Sequence, residues 1–181
     1  MPFAAKPYQL PGLLLIEGRS FPDERGFFME SSRDDELRGL GLPPLVQDNL
    51  SRSRKGVLRG LHFQKPPIPA GKLVRCLRGR IFDAAVDLRR GSPSFGKWAS
   101  VELSDEGNRM FWIPAGFAHG FCVLSDQADV LYKVTDYWKP EVDGGIRWDD
   151  PALAIPWPEP RPIITAKDAA WPLLADAGAL F

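Results

Sequence analysis

The sequence has few of the residues that cross-link chains or bind metals, and no long apolar run. Its 181 residues include two cysteines, Cys76 and Cys122, which form no CxxC pair. Two cysteines do not make a disulfide framework, so we expect free thiols in a reducing, cytoplasmic compartment. The longest early apolar run, residues 13–16, is far too short to span a bilayer, and no segment is typical of a signal peptide.

Net charge is also lacking, because the formal charge of the chain is zero. This balance argues against a general affinity for nucleic acid or for membrane surfaces. The charges are unevenly distributed, however: residues 52–90 hold eleven Lys or Arg against two acids, Asp83 and Asp87. This segment would suit an anionic ligand that carries phosphates, and a solvated basic face balanced by acids elsewhere is an equally good interpretation.

Frequent glycine (17) and proline (18) divide the chain into short segments. Short strand-like runs predict strands at 57–64, 72–77, 117–124 and 129–135. The run IFDAAVDL at 81–88 also predicts a strand, with an apolar face and an acidic face that holds Asp83 and Asp87. A short helix is predicted between Ser32 and Gly39, and another near 167–174. Many short strands with Gly and Pro turns predict an all-β sandwich or barrel, and residues 1–181 are expected to form one domain.

One of only two histidines, His62, lies in the strand-like stretch VLRGLHFQ. A titratable imidazole inside an apolar run needs hydrogen-bonding partners or a functional role to offset the cost of its burial. Taken alone, such a histidine is more often a core residue with its hydrogen bonds satisfied. Similarly, Asp168 three residues after Thr165 is typical of a helix cap, and Tyr132 could simply pack in the core.

Several stretches taken together resemble the dTDP-4-dehydrorhamnose 3,5-epimerase family: FPDERGFF, QDN at 47–49, VLRGLHFQ, GKLVRC, WIPAGFAHGF and YKVTDYW. Their order and number cover nearly the whole chain, from about residue 8 to 175. The resemblance implies a cupin-type jelly roll, a double-stranded β-helix with a few short peripheral helices. It also implies a homodimer that works without a metal or other cofactor.

The resemblance implies an activity as well: epimerisation of dTDP-4-keto-6-deoxy-D-glucose at C3 and C5 to dTDP-4-keto-L-rhamnose. The family's motifs give His62 as the base and Asp168 as its partner, which orients and stabilises the imidazolium. They give Lys72 as the cation at the developing enolate oxygen and Tyr132 as the proton donor on the opposite face. The substrate contacts implied in the same way are Arg25, Glu30, Gln47, Asp48, Asn49, Arg59, His119, Asp143 and Lys167.

A structure can test two details of this assignment of the family's residues to the present sequence. Asp143 stands where the family commonly has a glutamate, so one ligand contact of that side chain is in question. Strand periodicity puts Arg59 and His62 on opposite faces, although both should face the pocket. We therefore predict a bulge or a strand end at Gly60.

Three other functions compete with this interpretation. A metal-dependent cupin needs three or four His or carboxylate ligands, usually with an H-x-H pair, and this chain has two histidines in all. A non-catalytic sugar-nucleotide binding module would keep the basic residues. A C3-only epimerase or a ketoisomerase on a related dTDP-4-keto-6-deoxy sugar would use the same base.

A homodimer is expected from the resemblance and from the apolar run LLLI at 13–16, interpreted as an edge strand that a second subunit would cover. The segment at 26–30 is expected to reach toward the partner's pocket.

Overall fold

The computed structural model describes residues 2–178 and 180–181. Its strands, in chain order, are β1 (Phe3–Pro7), β2 (Leu14–Gly18), β3 (Ser20–Asp23), β4 (Gly26–Met29), β5 (Gln47–Arg54), β6 (Leu58–Gln64), β7 (Lys72–Arg78), β8 (Arg80–Asp87), β9 (Trp98–Ser104), β10 (Arg109–Ile113), β11 (Phe117–Val123), β12 (Gln127–Val134) and β13 (Asp143–Gly145). The α-helices are short, α1 (Asp34–Gly39) and α2 (Ala166–Ala169), and single 3₁₀ turns lie at Pro140–Val142 and Leu174–Asp176. The prediction of an all-β chain with a few short helices is confirmed.

Two antiparallel sheets face each other, and a separate hairpin joins β3 to β4. The larger sheet has the order β1-β2-β10-β7-β12-β5, and the smaller sheet has the order β13-β6-β11-β8-β9. Their inner faces meet in a core that includes Val74, Phe111, Phe121 and Val130. At one end of the molecule, polar residues such as Gln47, His62 and Lys72 take the place of this apolar packing between the sheets.

The outer face of the smaller sheet is covered by the C-terminal part of the chain. Ala84 and Val86 on β8 pack there against Leu153 and Ile155. The sequence IFDAAVDL had indicated an apolar face and an acidic face, but both are buried, and Asp83 is 0 % exposed. A strand covered on both sides must give such a carboxylate a partner inside the protein.

Both helices predicted from the sequence are present, with corrected ends. Helix α1 has its N-cap at Arg33 rather than at Ser32, and no side chain caps it. Helix α2 is capped by Thr165, whose hydroxyl accepts a hydrogen bond from the Asp168 N–H at 3.2 Å. Among the described residues, no helix has the length and apolar character needed to cross a membrane.

The interpretation of LLLI as an edge strand is wrong. Strand β2, which holds most of this run, lies between β1 and β10 and pairs with both. Leu15 and Ile16 are buried in the protein's own core. The edges of the larger sheet are β1 and β5, because the N-terminal strand adds outside β2.

Candidate active site

A cavity of about 330 Å³ opens between the two sheets at one end of the molecule. Strands β5, β7 and β12 form one wall, and β6 and β13 form the other, with α2 at the rim. Seven of the residues predicted to act in the site line this cavity: Gln47, Asn49, His62, Lys72, Tyr132, Asp143 and Lys167.

His62 and Asp168 form a hydrogen-bonded pair at the cavity wall. The His62 Nε2 lies 2.7 Å from Asp168 Oδ1, with the histidine side chain 34 % exposed and the aspartate 6 %. Burial would raise the pKa of Asp168, but hydrogen bonds from His62, the Gly60 N–H and Thr165 lower it below its usual range. The structure thus combines the two interpretations of Asp168, since its N–H donates to the Thr165 cap of α2 while its ionised carboxylate fixes the His62 ring.

The predicted irregularity at Gly60 is confirmed. His62 pairs with His119 and Arg59 pairs with Phe121, so three steps along β6 match two steps along β11. This bulge returns Arg59 and His62 to the same face. Gly60 has a positive φ of 147°, and an added Cβ there would lie 2.6 Å from the Cα of Gly120, so glycine is needed at this crossing. Arg59 points along the inner face and donates to Ser53 Oγ at 3.0 Å.

Lys72 begins β7 and extends its ammonium into the cavity from the wall opposite His62. Its Nζ donates to the backbone carbonyl of His62 at 3.1 Å. Burial lowers the pKa of Lys72 to about 8, although the carboxylates of Asp83 and Asp143 raise it. A cation with this pKa stays largely charged at neutral pH. It lies next to His62, where it can stabilise negative charge that develops on a bound molecule.

Tyr132 reaches the cavity from β12 of the larger sheet, whereas His62 comes from β6 of the smaller sheet. Burial raises the pKa of the Tyr132 phenol, so the group keeps its proton at neutral pH. A molecule held between the sheets would therefore meet an imidazole on one side and a phenolic O–H on the other.

Polar contacts fix the rim of the cavity. The Gln47 amide donates to Asn49 Oδ1 at 2.9 Å, and both lie on the inner face of β5. Lys167 and Asp143 form an ion pair at 2.5 Å, which links α2 to β13. The shorter aspartate thus contacts a basic side chain that was itself predicted to bind substrate.

His119 was predicted to contact substrate. It lies directly opposite His62 in the β6–β11 ladder, on the inner face of the smaller sheet, and the substrate contact stays a prediction. Its side chain is 6 % exposed, and its Nε2 lies 2.9 and 3.1 Å from the two oxygens of Asp83. Burial raises the pKa of Asp83 and lowers that of His119. The sequence analysis did not assign Asp83 to the site; the only signal was an acidic residue inside an apolar strand.

Three predicted contacts lie away from the cavity of their own chain. Asp48 is on the outer face of β5, because it alternates with Gln47 and Asn49, and it pairs with Lys133 at 2.7 Å. Arg25 is in the β3–β4 turn beside Asp23 at 2.6 Å, and Glu30 faces Arg33 at 3.5 Å.

Other cavity residues were not predicted as site residues: Phe63, Gln64, Ala70, Val134, Asp136 and Trp138. All of them except Ala70 fall within the quoted motifs VLRGLHFQ and YKVTDYW, which was the one signal available for them. Within residues 2–178 and 180–181, no cluster of three or more His, Cys, Asp or Glu is arranged to hold a metal ion.

Comparisons with known proteins agree with this geometry. The model of the family described as dTDP-4-dehydrorhamnose 3,5-epimerase matches residues 7–176. A curated relative from Salmonella typhimurium with that name is 52 % identical over 172 residues, covering 93 % of each chain. A dTDP-4-dehydrorhamnose 3-epimerase from Streptomyces niveus is 38 % identical over 174 residues, covering 95 % of this chain and 84 % of the relative.

Among solved structures, the dTDP-6-deoxy-D-glucose-3,5-epimerase of Legionella pneumophila, in complex with dTDP-4-keto-L-rhamnose, superposes with a TM-score of 0.92. It is 50 % identical, and the match covers 96 % of this chain and 93 % of that one. This similarity confirms the cupin-type jelly roll. The chain therefore belongs to the dTDP-4-dehydrorhamnose 3,5-epimerase family of isomerases.

Proposed function

We propose that this enzyme inverts C3 and C5 of dTDP-4-keto-6-deoxy-D-glucose to give dTDP-4-keto-L-rhamnose, a step toward dTDP-L-rhamnose. The observation that carries the proposal is the placement of His62, with Asp168 behind it, and Tyr132 on facing walls of one cavity. Inversion of a carbon requires proton removal from one face and proton delivery to the other. The names of the relatives support the substrate class.

In the proposed reaction, His62 Nδ1, the ring nitrogen that is not bonded to Asp168, first removes the proton from C3, which the C4 ketone acidifies. The bonding electrons move into the C3–C4 bond, and the C4 oxygen becomes an enolate stabilised by the Lys72 ammonium. Tyr132 then donates its phenolic proton to C3 from the opposite face. Exchange with solvent restores neutral His62 and the Tyr132 phenol, and the same cycle at C5 completes the double inversion.

Other residues in and beside the cavity are proposed to hold the nucleotide and the sugar. Arg59 and Lys167 are the cations suited to the diphosphate, and Gln47 and Asn49 offer amide groups to the ligand. A ligand phosphate would compete with Asp143 for Lys167, since the two side chains already form an ion pair. His119, Asp48, Arg25 and Glu30 are not needed for this arrangement within one chain.

A C3-only epimerase or a ketoisomerase on a related dTDP-sugar is the second candidate. The observation that favours it is the 38 % identity to the 3-epimerase of Streptomyces niveus, since the same base would serve both reactions. Proton NMR of the substrate with enzyme in deuterated water distinguishes the two. Deuterium at both C3 and C5 supports the double epimerase, deuterium at C3 alone supports the second candidate, and no exchange refutes both.

We also propose that the enzyme is a cytoplasmic homodimer in which the β3–β4 hairpin reaches the partner's cavity. The hairpin exposes Phe27 and Phe28, which are 63 % and 68 % exposed, and the Arg25 side chain is 84 % exposed. Large exposed aromatic groups next to a cation are typical of a surface that another subunit covers. Sedimentation at micromolar protein tests this, and a fully active monomer would refute it.

A further inference from the structure

Trp171 follows helix α2 and packs on the edge strand of the smaller sheet, beside the cavity. A Cβ added to Gly145 on β13 would lie 2.5 Å from both Cδ2 and Nε1 of the indole, so the ring rests directly on the Gly145 backbone. Gly145 stands opposite His62 in the β6–β13 ladder, and directly opposite residues project from the same face of a sheet. The indole therefore covers β13 on the face from which the His62 side chain enters the cavity.

The face of this ring is turned to a charged group that lines the cavity. The Lys167 Nζ lies 5.5 Å from the centre of the Trp171 ring, within the range of a cation–π interaction. The same Nζ pairs with Asp143, which precedes Gly145 by two residues on β13. The ammonium at the cavity rim thus lies between a carboxylate of β13 and an aromatic face that rests on β13.

The indole does not owe its place to a hydrogen bond. Its Nε1 is buried, and within residues 2–178 and 180–181 it has no hydrogen-bond partner. A buried N–H without an acceptor destabilises the fold, so the ring has to compensate through its size and its face. The electron-rich face, for which tryptophan is the best of the aromatic side chains, is therefore the part of Trp171 that serves the site.

We propose that Trp171 is a positioning residue that holds the Lys167 ammonium at the cavity rim for the diphosphate of the substrate. The inference rests on the proposed function, in which Lys167 binds that diphosphate. The Lys167 side chain is 59 % exposed, and a mobile lysine loses rotamer freedom when a ligand fixes it. Contact with the ring reduces this loss before the ligand arrives. When a phosphate displaces Asp143, the ring remains as the second partner of the ammonium.

The test is a double-mutant cycle on the Kd for dTDP, measured by calorimetry. Trp171→Leu removes the aromatic face and should raise Kd about two- to fivefold, but it should add nothing in a Lys167→Met background. Trp171→Met is a second variant without a ring, so the test does not depend on the folding of one protein. Trp171→Phe keeps a ring without the unpaired N–H, and its Kd should stay below that of Trp171→Leu.

Trp157→Leu is the matched control. Trp157 also lies in the C-terminal part of the chain, but it packs on Phe82 with ring centres 5.5 Å apart and donates to the Trp148 carbonyl at 2.8 Å. It does not line the cavity. This variant loses a tryptophan of comparable size, and its Kd for dTDP should equal that of the wild type.

The rate of C3–H exchange separates this role from general support of α2. Asp168 lies on the same helix turn, so a displaced α2 would lower kcat, whereas loss of the ring alone should raise KM with Kd and leave kcat within about twofold. An unchanged Kd in the folded ring-less variants, an equal rise with and without Lys167, or a tenfold fall in kcat at unchanged KM would each overturn the inference. A wild type that binds dTDP but exchanges no C–H proton refutes the proposed reaction and leaves the coupling of Trp171 to Lys167 standing.

Discussion

Replacing Asp168 by Asn removes the charge behind His62 and leaves the shape of the side chain almost unchanged. The hydrogen bond between them is 2.7 Å long and the aspartate side chain is 6 % exposed, so water screens the interaction little. A hydrogen bond to a charged group contributes about 1.5–3 kcal/mol, which corresponds to a loss of about 10- to 150-fold in rate. The loss should appear in kcat, because Asp168 stabilises the imidazolium that forms during proton removal.

The assay is deuterium incorporation at C3 and C5, followed by NMR under saturating substrate, with dTDP affinity measured in parallel. Asp34→Asn is the control, since Asp34 forms an exposed pair with Arg38 at 2.8 Å on α1. That variant should stay within about twofold of the wild type, as exposed ion pairs contribute little. If Asp168→Asn exchanges protons as fast as Asp34→Asn, the pairing has no catalytic role and the reasoning is refuted.

Three further predictions follow from the same contacts. Tyr132→Phe should keep C3–H exchange with solvent but lose about 10²- to 10⁴-fold in inverted product by NMR, and unimpaired inversion would mean that another acid acts. Gly120→Ala places a Cβ 2.9 Å from the Arg59 carbonyl oxygen, so it should lower the free energy of unfolding by about 1–3 kcal/mol in urea titrations. Gly91→Ala is the control, because open space surrounds Gly91 and the free energy of unfolding should not fall. Burial would raise the pKa of Asp87, but hydrogen bonds from Arg89, Ser92 and Ser94 lower it from 3.8 to about 2. The ionised carboxylate therefore stabilises the fold above about pH 4, and this contribution is lost as the pH falls toward 2. Asp87→Asn should therefore reduce stability by about 2 kcal/mol at pH 7 and flatten its acid dependence, and an unchanged acid profile by thermal unfolding would contradict this.

Local sequence patterns correctly predicted much of the structure around His62. Strand periodicity showed that Arg59 and His62 could not share a face without an extra residue between them, and the β6–β11 register has that extra residue. The T-x-x-D pattern correctly located the start of α2 at Thr165. These features depend on neighbours a few residues apart, which a sequence pattern describes well.

The failures concern which side of a strand is covered and by what. Periodicity separates Asp48 from Gln47 and Asn49, and the structure turns Asp48 to the outer face of β5, where it pairs with Lys133; the family motif assigned all three to the ligand, and for Asp48 that contact stays a prediction. The run LLLI was assigned to an edge because nothing local reveals that β1 adds outside β2. The pairing of Asp83 with His119 joins strands 36 residues apart, and no local pattern connects them.

The most direct test of the account is C3–H exchange by His62→Ala in deuterated water, measured together with dTDP affinity. If His62 is the base, exchange and turnover should both fall by about 10²- to 10⁴-fold while nucleotide binding stays close to that of the wild type. Retention of more than about a tenth of the wild-type exchange rate would contradict the central claim that His62 removes the proton.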